Sequence, residues 1–395
     1  MKAARYYAPG DVRVEQIPEP EAKSGQVKIS WNGICGSDLH AYLTRISKFP
    51  TLTEANELSG ETLPITLGHE ISGTIVDIGG GFDSKFQVGQ NVVIEPIISC
   101  RKRDCHCCSN NLSNVCPLTN GTGIGGWGGG LSEFIAVDAR LVHILPKAIS
   151  RAMIEPLAVA WHAVKRSGFK PGQSALIVGA GPIGLFLLKV LRSFDPSTTI
   201  IVSEPAKIRR ELALKHSATL ALDPSSLSTP VVDAVLQATH DIGVDVAFDA
   251  AAVPSAVDAA LLSVRPHGLF VLVGIWEEKP RVDLNLVVLR EITVTGSVVY
   301  RDDHPELLEA VESGKIKGLE DLITRKIALE DVVEKGLKAL INEKDEQSKL
   351  ALGIIHALFT SIDVLLSGLL YSQNPRSSVI EEKVYVTAGR LSILT

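Results

Sequence analysis

The chain carries six cysteines, Cys35, Cys100, Cys105, Cys107, Cys108 and Cys116, and none after residue 116. A disulfide framework is not expected to crowd into one third of a chain of 395 residues. Metal ligation in a reducing compartment fits the distribution better. Cys100, Cys105, Cys108 and Cys116 are separated by four, two and seven residues. Four thiolates close a tetrahedral structural zinc and leave no open position for chemistry. Cys107 and His106 lie inside the same stretch, and the loose first spacing also suits free thiols on a loop. A second set is dispersed: Cys35, the pair His69-Glu70, and Glu155. One thiolate, one imidazole and one carboxylate can hold a zinc with a position left for water or substrate. Singly each is unremarkable, since a lone cysteine is usually a small buried hydrophobe. Spacing alone does not join the three.

Gly179-Ala-Gly181-Pro182-Ile183-Gly184 has the form GxGxxG, after an apolar run and before a helical pattern. That is the context a dinucleotide site requires. Gly179 serves the tight turn, Gly181 the approach of a pyrophosphate, and Gly184 close helix–strand packing. The helix N-terminus adds unpaired N–H groups and the positive end of a dipole. Glu204 follows 20 residues after Gly184. A carboxylate there accepts ribose hydroxyls and repels a 2′-phosphate, which favours NAD over NADP. Arg209 is placed either to stack on the adenine or as a solvated helix charge. Val273, Gly274 and Ser297 are further cofactor candidates.

These residues need two kinds of scaffold. Up to about residue 150 the chain reads as short strands broken by turns: 26–30, 71–78, 91–96 and 134–137. From Ser174 onward apolar runs alternate with helical patterns: strands over 174–179, 199–203, 244–248 and 268–274, helices over 182–192 and 206–216. Continuously apolar strands alternating with helices signal a parallel sheet covered on both faces. With 45% hydrophobic and 21% charged residues the composition is that of a globular protein. A net charge of −6 supplies no basic field for nucleic acid or anionic membrane. The N-terminus lacks the apolar core of a secretory signal, which makes a cytoplasmic protein the expectation.

Taken together, Gly33-Ile-Cys-Gly-Ser-Asp-Leu-His40, Gly68-His-Glu70, Glu155-Pro-Leu-Ala158 and Gly179-x-Gly-Pro-Ile-Gly184 resemble the zinc-containing medium-chain dehydrogenases over nearly nine-tenths of the chain. Residues 61–70, 127–133 and 155–163 look most like the fungal butanediol dehydrogenase type. The resemblance implies an α/β protein, with a GroES-like β-rich catalytic domain over 1–150 and 300–350 and a Rossmann NAD-binding domain over 151–299. It implies catalytic zinc on Cys35 and His69 with Glu70 or Glu155 as carboxylate, and NAD as cofactor. It further implies a homodimer or homotetramer acting on a small diol or hydroxyketone. Ser37 and His40, at i and i+3, then stand where the substrate proton can be relayed to solvent. Ser37 also suits a helix N-cap with Asp38 in the first turn. Polyol enzymes of the family usually carry an arginine where this chain has Val299, just before Tyr300, which argues for a short and less polar diol. A polyol or threonine dehydrogenase, and a catalytically inactive dinucleotide-binding relative, are the competing readings.

Two stretches depart from the family. The segment between Pro146 and Glu155 looks short by about one helical turn. Residues 351–395 form an atypical tail whose apolar first part, 350–371, is expected to be an amphipathic helix rather than a membrane span. Asp363 at its middle would cost about 2.5–3.5 kcal/mol in a bilayer.

Overall fold

The computed structural model describes residues 1–21, 26–29, 32–79, 85–146, 153–226, 230–343, 385–387 and 390–392. The short segment after Pro146 falls largely, and the expected tail helix entirely, outside the described residues.

The first third folds as small antiparallel sheets. Lys2–Ala8 lies between Asp11–Gln16 and Ile65–Thr66, and Gln26–Ile29 lies between Ile135–Asp138 and Asp77–Ile78. Asn91–Ile94 is flanked by Val142–Ile144 and Glu70–Thr74, with Asn32–Gly33 beyond. The single strand expected over 71–78 is therefore two. Glu70–Thr74 pairs with Asn91–Ile94, whereas Asp77–Ile78 pairs with Gln26–Ile29. Between them the Ile75 N–H donates to the Gln90 carbonyl at 2.9 Å. The chain crosses from one sheet to another there, and one straight strand cannot serve both.

Six parallel strands then form one sheet: Ala175–Val178, Ile200–Ser203, Leu220–Leu222, Val244–Asp249, Val264–Leu272 and Thr293–Gly296. Their spatial order is third, second, first, fourth, fifth, sixth, the doubly wound arrangement of a dinucleotide fold. Helices cover both faces, so the first two strands are buried along their whole length. The helix Pro182–Phe194 starts with proline, whose fixed φ suits a first turn. It buries Leu185, Phe186, Leu187, Leu188, Val190 and Leu191 and packs on the helix Ile154–Ser167.

Two cores matter for the site. One gathers Ile154–Ser167, Pro182–Phe194, Tyr300 and residues 307–322 around the parallel sheet. The other joins Ala4, Tyr6, Ile65 and Leu67 to Ile327, Leu329, Val332 and Leu337, so the chain returns to its first sheets near its end. Among the described residues no helix is long and apolar enough to cross a membrane.

Candidate active site and metal centres

Cys100, Cys105, Cys108 and Cys116 lie on the lobe around the short helix His106–Ser109, and their sulfurs converge. The Cys100 Sγ is 3.7 Å from that of Cys108 and 3.5 Å from that of Cys116, and Cys105 is 3.9 Å from Cys116. Tetrahedral Zn–S bonds of about 2.3 Å place sulfurs about 3.8 Å apart, so the set fits a zinc. Cys107, on the same helix, is outside this group. Burial pushes its thiol up, and the charges of Cys105, Cys116 and Cys108 add to that.

The dispersed set is also assembled. Gly68 holds φ +99, and a Cβ there would press on the Asn32 side chain and the Leu131 N–H. This turn delivers His69 to a buried position. Glu70 is in register with Gly33, which puts its carboxylate against the segment leading to Cys35. Cys35 is the N-cap of the helix Gly36–Leu43, and its N–H donates to the Asp38 Oδ2 at 2.9 Å. The expected N-cap role of Ser37 is thereby corrected, because the cap and the helix start lie two residues earlier. The Ser37 Oγ instead stands 3.0 Å from His69 Nε2. Glu155 occupies the first turn of Ile154–Ser167, where the helix dipole favours a carboxylate. Its Oε1 accepts a hydrogen bond of 2.7 Å from the Tyr300 hydroxyl.

The electrostatics of this pocket centre on His69. Burial opposes a charge there, but the charges of Cys35, Asp38 and Glu155 and a hydrogen bond with Cys35 outweigh it and hold the imidazole pKa well above the ordinary range. Burial, then the Glu155 and Glu95 charges, push the Tyr300 hydroxyl well up. A half-buried thiol acting on a buried imidazole and carboxylate is the donor chemistry of an open zinc site. The set is looser than the cysteine lobe. Cys35, His69 and Glu155 are not among the described groups whose ligand atoms all fall within 4.8 Å of one another. His40, on the same helix as Ser37, reaches across to the loop after Val264–Leu272, where its Nδ1 is 2.6 Å from Glu277 Oε1.

The glycine motif lies where the first strand gives way to the helix Pro182–Phe194. Gly179 has φ +91, open to glycine without strain. A Cβ on Gly184 would run into the Gly179 carbonyl oxygen, whereas one on Gly181 would meet nothing within 4 Å. The surface before Gly181 is thus free for a phosphate to approach. Glu204 is buried beside this turn, accepting the Ala180 N–H at 2.7 Å and the Ala206 N–H at 2.9 Å. Arg209 Nη1 lies 3.8 Å from its Oε1. The Val273 and Gly274 N–H groups both donate to the Asp249 carbonyl, at 2.9 Å each, and the Ser297 N–H donates to the Leu272 carbonyl. These three therefore line the ends of neighbouring strands at the same edge of the sheet.

Sequence reasoning placed Asp38 only in a helix first turn, where it lies, and left Glu277 and Asp249 without roles. Asp38 had a visible signal, an acid three residues after Cys35. Glu277 and Asp249 are identified only by what the fold sets opposite them.

Comparisons with known proteins show the family. Residues 21–147 match the alcohol dehydrogenase GroES-like domain and residues 182–313 the zinc-binding dehydrogenase domain. An (R,R)-butanediol dehydrogenase of Neisseria gonorrhoeae is 40% identical over 356 residues, covering 89% of this chain and 98% of that protein. The (R,R)-butanediol dehydrogenase of Saccharomyces cerevisiae is 34% identical, again over 89% of this chain and 98% of that protein. The crystal structure of 2R,3R-butanediol dehydrogenase from Bacillus subtilis superposes with a TM-score of 0.81 at 37% identity, covering 89% of this chain and 99% of that one. The chain belongs to the zinc-containing alcohol dehydrogenase family. It is an oxidoreductase whose class acts on CH–OH groups.

Proposed function

We propose that this chain transfers hydride between NAD and a small secondary alcohol, butane-2,3-diol with acetoin as its ketone being the pair we favour. The observation that carries the reading is the assembly of half-buried Cys35 with buried His69 and Glu155, with Ser37 on His69 and Tyr300 on Glu155. Cys35, His69 and a carboxylate of Glu155 or Glu70 would hold the catalytic zinc, and Cys100, Cys105, Cys108 and Cys116 a structural one. A zinc ion there supplies Lewis acidity that lowers the substrate hydroxyl's pKa, and NAD supplies the hydride acceptor. The chain's own residues do the rest. Tyr300 fixes the orientation of Glu155. Ser37 stands beside His69 to accept the substrate's proton and pass it on. His40, half exposed and paired with Glu277, is the outlet to solvent.

Gly179, Gly181, Pro182, Ile183 and Gly184 would cradle the pyrophosphate, with Glu204 at the adenosine ribose and Arg209 by the adenine. Val273, Gly274 and Ser297 would border the nicotinamide half. Both Glu204 oxygens already take a backbone N–H, and each retains a second lone pair for a ribose hydroxyl. Val299 packs against the main core and brings no charge toward the substrate, which suits a four-carbon diol better than a sugar alcohol.

The protein would work in the cytoplasm as a homodimer or homotetramer. The edge strand Thr293–Gly296 and the adjoining helix Leu284–Leu289 expose Val294, Leu284, Val288 and Leu289. An apolar strand edge of this kind invites pairing with a second copy.

The test is a substrate panel followed by NADH absorbance: butane-2,3-diol, sorbitol and threonine with NAD, and the best of them with NADP. Fastest turnover of butane-2,3-diol with NAD is expected. Preference for sorbitol or threonine would transfer the reading to another branch of the family. No turnover together with no bound zinc would make the chain an inactive dinucleotide binder.

A further inference from the structure

Glu95, His143 and His304 meet although they lie 48 and 161 positions apart in turn. Glu95 follows the strand Asn91–Ile94, His143 lies on the paired strand Val142–Ile144, and His304 opens the helix His304–Glu312. One carboxylate oxygen faces both rings: Glu95 Oε2 is 3.1 Å from His143 Nε2 and 3.5 Å from His304 Nδ1. All three ligand atoms fall within 4.8 Å of one another, the only such group among the described residues besides the four cysteines. His304 is fully buried, and neither of its ring nitrogens has a hydrogen-bond partner. Burial and the nearby His143 press its pKa down to about 3, so the ring is neutral. A neutral imidazole carries one N–H and one lone pair, and leaving both buried and unused is costly. A groove of about 380 Å³ reaches Glu95 from the surface, rimmed by Arg101, Arg140 and Asp302.

We propose that Glu95, His143 and His304 form a binding site for one divalent transition-metal ion of zinc's class, distinct from the cysteine lobe and from the Cys35 pocket. Two imidazoles and a carboxylate suit such an ion, which takes neutral histidine as ligand. The His143 and His304 rings are stacked, with centroids 4.8 Å apart and planes 8° apart. A metal lies in the plane of each imidazole it binds, so one ring turns when the ion enters. His143 is 19% exposed whereas His304 is fully buried, so His143 is the one with room. The groove is the entry path such a site requires.

The experiment compares full-length wild type, Glu95→Gln and His143→Gln. Each is dialysed against the same zinc-buffered solution, and zinc per chain is measured by plasma emission, with circular dichroism as the control for folding. Both positions are partly exposed, so either variant alone decides the matter if the other misfolds. One zinc per chain fewer in the variants than in wild type is the expected result. Equal zinc in variant and wild type, as when a buried water bridges the trio, overturns the proposal. The difference is read without turnover, so it stands even if the assignment of the Cys35 pocket fails.

Discussion

The Tyr300 hydroxyl donates to Oε1 of Glu155 at 2.7 Å, and both side chains are buried. This bond ties the segment before His304 to the first turn of the helix that carries Glu155, and so helps to fix that carboxylate. A hydrogen bond to a charged group contributes about 1.5–3 kcal/mol. Tyr300→Phe is therefore expected to lower kcat/KM roughly 10- to 150-fold while the zinc content stays that of wild type. Unchanged kinetics would show that Glu155 needs no such anchor.

Cys35→Ala should remove one zinc per chain and abolish turnover while NADH binding, read by fluorescence, survives. The reason is spatial: Cys35 acts on His69, whereas the glycine turn at Gly179–Gly184 is built by other elements. Simultaneous loss of zinc and of NADH binding would mean that the pocket has been misassigned.

Gly184 and Gly181 should respond to alanine in opposite ways. A Cβ at Gly184 collides with the Gly179 carbonyl, so Gly184→Ala is expected to cost about 1–3 kcal/mol of stability, seen as a lower Tm. A Cβ at Gly181 meets nothing, so Gly181→Ala should fold normally and weaken NADH binding about 10-fold, or ~1.4 kcal/mol. Equal effects on Tm and on Kd in both variants would contradict this division of labour.

His216 gives a pH signature. Burial, with Lys189 and Lys215 adding to it, presses its pKa down to about 4. An unfolded histidine titrates near 6.5. Between these values the unfolded chain binds more protons, so this group's share of stability is present above pH ~6.5 and is lost as the pH falls toward 4. His216→Gln should flatten the dependence of Tm on pH in that window. An unchanged slope would place the imidazole in contact with water.

Local features were the legible ones. The glycine turn, the helix after it and the cysteine lobe lie within short stretches where spacing carries the geometry. The strand expected over 71–78 went wrong because its midpoint changes partners, and partners are not written in hydropathy. Cys35, His69 and Glu155 could be joined only through resemblance, since both intervals between them, 34 and 86 positions, exceed thirty. The trio of Glu95, His143 and His304 had no local signal at all. It depends on two paired strands and on a helix that the fold brings back from far along the chain.

That return has a consequence for synthesis. Ile327, Leu329, Val332 and Leu337 complete the core begun by Ala4 and Tyr6. The first sheet, complete at Thr66 and first off the ribosome, therefore stays unsealed until more than 250 further residues have been translated. The parallel-sheet unit can close in the meantime, because domains generally fold as they emerge. Nascent chains stalled before residue 327 should consequently hold a finished nucleotide fold beside an open, chaperone-dependent partner.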